Sequence, residues 1–181
     1  MVLAVDETDL RLFPPLRAGW ARRGEPARVV ISGYNARRVV FGALNLRTGA
    51  RQFAVRGKNR ADDFQAFLRV IRSAYRGRHV ALLLDEHSAH TAKDSVRAAA
   101  GLTLLWLPSR SPELNPLDTL WGQAKDVVSA NRQYARVEDQ ADRFVAYLRE
   151  LSDRRVLETS GVLADAFWLR DVLSKNFCVV A

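Results

Sequence analysis

Three aspartates stand where a chain of this pattern can do chemistry. Asp6 closes the apolar run Val2 to Val5, Asp85 closes the run His79 to Leu84, and Asp118 falls in the first turn of a helix that follows a proline-rich loop. The first two runs read as strands, the second as one buried on both faces and centrally placed. In open α/β sheets the carboxyl ends of strands form the rim on which ligands sit. Two strands ending in Asp, with a third carboxylate delivered by a helix, would make an oxygen-ligand cluster suited to Mg2+ or Mn2+. Two such ions about 4 Å apart would activate a water or a 3′-hydroxyl and stabilise the leaving oxygen of a phosphodiester. Each acid also has an ordinary structural explanation: Asp6 as a turn residue beside Glu7, Asp85 as a cap, Asp118 as a complement to the helix dipole. Spacing alone leaves both readings open.

The surrounding pattern says what must hold these acids. After Val2 to Val5, strands are expected over Arg28 to Ser32, Arg38 to Leu46 and Gln52 to Arg56, with turns at Gly33-Tyr34-Asn35 and Thr48-Gly49, as in an antiparallel meander of three strands. Phe64, Phe67, Leu68 and Ile71 recur at helical spacing and predict a helix over about 60 to 76. A second helix is expected over Thr91 to Ala100, stopped by Gly101, and a strand over Leu102 to Leu107. Asn115 before Pro116 is an N-cap with proline in the first helical position, and Leu117, Leu120, Trp121, Ala124 and Val128 line one face of the helix that begins there. A further helix over about 137 to 151 and a helical tail around Phe167, Trp168 and Leu169 complete the reading. Trp106, Trp121 and Trp168 read as core. The order predicts a mixed sheet, three antiparallel strands followed by alternating helices and parallel strands, with helices on both faces.

Composition narrows the partners. The 181 residues, 48% hydrophobic, suffice for one core and show no linker, so one domain is expected. Lys and Arg outnumber Asp and Glu by 28 to 20, a net charge of +8 that favours a polyanion, although a solvated Arg-rich surface would look the same. Cys178 is the only cysteine, which excludes an intramolecular disulfide and a cysteine-based zinc site, and three histidines make a zinc pair at His87 and His90 a poor alternative. Asp6 and Glu7 come too early for a signal peptide, and no apolar run reaches membrane length, so a soluble cytoplasmic protein is expected.

Two segments carry a resemblance. Leu84-Asp85-Glu86-His87-Ser88-Ala89-His90, then Leu107-Pro108-Ser109-Arg110-Ser111-Pro112-Glu113-Leu114-Asn115-Pro116-Leu117-Asp118-Thr119-Leu120-Trp121, with the acids 33 positions apart, resemble the signature of DDE transposases. The branch is the mariner-like bacterial insertion sequence 630 family. Val5-Asp6-Glu7-Thr8, Trp20 and Gly24 resemble its first-acid region. The likeness runs from residue 1 to about 150, and more weakly through Gly161 to Leu169. It implies a ribonuclease H-like fold in which Asp6, Asp85 and Asp118 are the catalytic, metal-binding acids, with His90 lining the active site, although a helix-surface histidine would fit the sequence equally well. Glu86 and Asn115 are further candidates for active-site support. Two departures stand out: bacterial members usually carry Glu where Asp118 stands, and many have Asn in place of Glu86.

The resemblance also implies the reaction, metal-dependent cleavage and transfer of DNA strands with Mg2+ or Mn2+, two ions in all. It implies DNA partners, transposon ends and target, and a homodimer in the active complex. A ribonuclease H or junction nuclease would share the acids but lack the Ser111 to Trp121 segment. A degenerate or domesticated fragment that binds DNA or a partner without cutting is the other reading. The expected organisation is a catalytic core over about 1–150 with a helical extension over 151–181, nucleoid-associated, and without the helix-turn-helix region that family members use to recognise ends. Either a separate or frameshift-joined N-terminal helix-turn-helix product would then supply that function, or the gene is a truncated remnant. Arg17, Trp20, Arg22 and Arg23, with Arg11 and Phe13 nearby, and Arg110 in the loop before Asp118, are the DNA-contact candidates. Phe13 and Trp20 read equally well as core residues, and the row Arg69, Arg72 and Arg76 as solvated surface.

Overall fold

A computed structural model describes residues 1–26 and 28–174; Cys178 lies outside the described residues. A five-stranded sheet carries the fold, in the order β3-β2-β1-β4-β5. β1 (Val2–Arg11), β2 (Arg37–Asn45) and β3 (Arg51–Arg56) form the antiparallel meander, while β4 (Ala81–Leu84) and β5 (Thr103–Trp106) add in parallel on the other side of β1. β1 occupies the middle, with β4 beside it. Gly49, with φ of 78°, makes the turn between β2 and β3 at a backbone conformation that glycine adopts without strain.

Alternation along the strands separates two cores. Leu3 and Val5 of β1 pack on one face with Val39, Phe41 and Ala43, covered by α1 (Ala61–Ala74), whose Phe64, Phe67, Leu68 and Ile71 form the apolar stripe expected of it. Burying such a side chain is worth about 1.5–3 kcal/mol, so this stripe alone gives α1 reason to fold against the sheet. Ala4 and Leu10 face the other way with Val40 and Leu44, covered by α4 (Pro116–Val128) and α5 (Val137–Glu150). Helices on both faces of a mixed sheet are what the element order requires.

Four expectations need correction. No strand forms over 28–32: Val30 is 88% exposed and Ile31 44%, because β1 pairs directly with β2 and leaves this segment outside the ladder. Side chains hold it instead, with Ser32 N–H donating to Gln133. β1 runs on to Arg11, so Asp6 lies mid-strand, not at its end. The helix expected over 91–100 is two short ones, α2 (Ser88–Thr91) and α3 (Lys93–Ala98), broken at the extended backbone of Ala92. Trp106 and Trp168 are 39% and 46% exposed, not core, since β5 is an edge strand and Trp168 sits in a turn. That turn, around Phe167 to Leu169, leads into α7 (Arg170–Ser174), while α6 (Asp153–Thr159) precedes it.

Candidate active site

Asp6 reaches the surface of the sheet because β4 stops short. β1 and β4 are paired at Val2, Leu3 and Ala4 against Ala81, Leu82 and Leu83, and continuing that register sets Asp6 level with Asp85 just beyond the last residue of β4. The two acids therefore meet where the parallel strands part. A pocket of about 200 Å3 opens there, lined by Asp6, Glu7, Asp85, Arg110, Asn115 and Asp118 among others.

Helix α4 delivers Asp118 and is tied to β1 twice. Asn115 caps it, its Oδ1 accepting from Leu117 N–H at 3.1 Å, while its Nδ2 donates 3.1 Å to the carbonyl of Val5, the residue before Asp6. One turn further, Trp121 Nε1 donates 2.9 Å to Asp6 Oδ2. The indole crosses the sheet over Gly42, the β2 partner of Asp6, where an added Cβ would lie 2.5 Å from the ring. Gly42 thus makes room for the bond between Trp121 and Asp6.

Beside the acids lies an ion network centred on the buried His90. Asp85 Oδ1 accepts from His87 N–H at 3.2 Å and pairs with His90 Nδ1 at 2.9 Å, while His90 Nε2 meets Glu7 Oε2 at 3.1 Å. Asn59 Nδ2 donates to the other Glu7 oxygen at 2.6 Å. His90, with a fully buried side chain, is no surface histidine. Burial alone would lower its pKa, but the bonds to Asp85 and Glu7 outweigh that and raise it to about 10, so it is held as an imidazolium. The His90 bond in turn keeps the Asp85 carboxyl below its usual range against the pull of desolvation. Asp6 goes the other way: burial, then the charge of Glu7, raise it to about 7, with the Trp121 bond opposing.

Among the described residues, no three His, Cys, Asp or Glu side chains are gathered closely enough to hold a metal ion as they stand. The donor set nevertheless fits a hard divalent cation: carboxylate oxygens on a shared pocket, one of them pushed toward protonation by burial and then by neighbours of like charge. Arg110 reaches this pocket from a backbone with φ of 60°, a conformation that costs a non-glycine residue energy and concentrates at working sites. The other candidates lie apart. Glu86 is exposed and accepts from Ser109 at 3.4 Å; Arg17 pairs with Asp126 at 2.8 Å on the surface; Trp20 is fully exposed, as are Arg22 and Arg23. Sequence reasoning passed over Glu7 and Lys125 and read Trp121 only as core. Period-two alternation separated Glu7 from Asp6, and nothing local signals that Trp121 reaches a residue 115 positions away.

A mixed sheet in this order, with helices on both faces, is a ribonuclease H-like architecture. The family profile described as DDE superfamily endonuclease matches residues 1–140, and the chain belongs to that family. The chain is 28% identical over 133 residues to the insertion element IS630 uncharacterized 39 kDa protein of Shigella sonnei, covering 71% of this chain and 38% of that protein. It is 31% identical over 116 residues to an uncharacterized protein of Sinorhizobium fredii, y4pE/y4sA, covering 64% of this chain and 85% of the relative. The fold matches the crystal structure of the Mos1 mariner paired end complex with Mn at a TM-score of 0.67 and 16% identity, covering 88% of this chain and 51% of that one. The chain thus spans well under half of the Shigella relative and about half of the mariner transposase. Among the described residues, no helix is long and apolar enough to cross a membrane.

Proposed function

We propose that this chain is the catalytic part of a transposase, cutting and joining DNA strands at the pocket of Asp6, Asp85 and Asp118. The observation that carries the reading is the approach of three carboxylates, from β1, from the end of β4 and from the first turn of α4, to one pocket within the family-matched region. Asp6, Asp85 and Asp118 would hold Mg2+ or Mn2+, two ions in all, which when bound would activate the attacking oxygen and stabilise the leaving one. The mariner neighbour carrying Mn supports that choice.

The chain's own residues do the positioning. Trp121 fixes one oxygen of Asp6, His90 fixes one of Asp85, and Asn115 anchors the helix of Asp118 to β1. Arg110 would meet a substrate phosphate at the pocket. Arg17, Trp20, Arg22 and Arg23 lie on an exposed segment that suits backbone contacts further along the duplex. Transposon ends, target DNA, a dimeric active complex and an end-recognising helix-turn-helix product complete the proposal, and the paired-end assembly of the mariner neighbour supports the first.

The test is nicking of supercoiled DNA in Mn2+ and in Mg2+. Wild type is expected to nick, and Asp85→Ala and Asp118→Ala to lose the activity. Nicking that survives both substitutions would overturn the site. A silent wild type rescued by Asp118→Glu would mean a third acid too short to close the metal site; silence in both would favour a chain that binds DNA without cutting it.

A further inference from the structure

A second hollow, of about 320 Å3, opens beside the acid pocket between the end of β1, the segment that follows it, and the facing turns of α4 and α5. That size lies at the lower end of small-ligand clefts. Phe13, Pro14 and Pro15 give it an apolar wall; Lys125, Ser129 and Gln140 form the helical side. The wall is fastened. Asn131 N–H donates 3.1 Å to the Pro15 carbonyl, and the Asn131 side chain accepts from Arg17 N–H at 2.9 Å and donates to the Arg17 carbonyl at 3.0 Å.

The floor holds an unmet polar group. Gln140 is 1% exposed; its Nε2 donates 2.9 Å to Ser129 Oγ, and its Oε1 has no partner. A buried acceptor left without a donor is uncommon and calls for one. Phe13 lines the hollow and is 38% exposed, leaving ring surface for a flat ligand. Lys125 lies first in the field of Asp9, which with Arg11 also lines the hollow, and then in those of Asp118 and Asp6 in the acid pocket.

We propose that this hollow receives one unstacked nucleobase of a DNA end held at the acids, its ring against Phe13, its N–H edge toward Gln140 and its phosphate near Lys125. The assignment rests on the DNA reading above. An aromatic ring, proline walls, a buried carbonyl and a cation match, in that order, the face of a base, its edge and the adjoining phosphate.

The experiment measures affinity of the full chain, without divalent metal, for a forked duplex ending in one unpaired adenosine and for the same duplex with an abasic terminus. Stacking of one base predicts a preference for adenosine of about 10-fold. Phe13→Ala should erase that preference at unchanged thermal stability, and a purine lacking the exocyclic amine should lose several-fold on the wild type. Equal affinity for the two ends, or a preference that Phe13→Ala leaves intact, would overturn the hollow's role alone. Failure of the wild type to bind either duplex would overturn the DNA reading and the hollow with it.

Discussion

Asp6 and His90 set how the site responds to pH. Asp6 titrates at about 7 in the fold, against 3.8 for the free group, so the folded chain binds the extra proton between those values. Its contribution to stability is therefore full below pH about 4 and lost as pH rises through 7. Metal-free protein should lose melting temperature from pH 5 to pH 8, Asp6→Asn should flatten that decline, and Mn2+ should restore more at pH 8 than at pH 5.5. A decline unchanged in Asp6→Asn, read by thermal melts, would assign the titration elsewhere. His90 has its folded pKa raised to about 10, so the stability it contributes is present below pH about 6.5 and fades as pH climbs through 10. His90→Ala leaves Asp85 and Glu7 without their shared donor and should cost about 3 kcal/mol at pH 7, measured by urea unfolding.

At the scale of elements, the contact between β1 and α4 is where packing becomes chemistry. Asn115, Trp121 and Gly42 act as one joint: cap and tether, reach, and space. Trp121→Phe keeps most of the ring's packing but removes the donor to Asp6. It should reduce nicking by about 10-fold with under 1.5 kcal/mol lost in stability, and should shift the pH at which Mn2+ becomes effective upward, because that bond opposes the rise in the Asp6 pKa. Gly42→Ala places a methyl carbon against a ring that β2 and β3 box in, and should destabilise by about 1–3 kcal/mol and cut nicking as well. Equal activity of Trp121→Phe and wild type across pH would show that the indole serves packing alone.

At the scale of the molecule, net charge and the split sheet together define the surface offered to a partner. A charge of +8, with four of the 20 acids lining one pocket, leaves the exposed Arg-rich segment after β1 to meet phosphates. About four phosphate contacts would make duplex affinity fall about 100-fold between 50 and 200 mM salt. A binding titration over that range checks it, and a flat response would remove DNA as the polyanion. Elsewhere the β2–β3 turn has its own anchor in Arg51, whose guanidinium ties Gly49 to Asp153 at 2.7 Å and to the Leu148 carbonyl at 2.7 Å.

What could be read from the sequence was whatever repeats locally. The stripe of Phe64, Phe67, Leu68 and Ile71, the Asn115-Pro116 helix start, the apolar runs ahead of Asp6 and Asp85, and the segment from Ser111 to Trp121 each encode their element within a few neighbouring residues, and from them followed the mixed sheet and the three acids. Exposure and long-range contact are properties of the assembled chain. Val30 and Ile31 have the composition of a strand but no ladder partner, and Trp106 has the size of a core residue but sits on an edge strand. Glu7, His90 and Trp121 acquired their roles only when β1, α2 and α4 came together, for a hydrogen bond between residues 83 or 115 positions apart leaves no trace in either one's neighbours. Periodicity reports which way a side chain points; tertiary structure decides what it meets there.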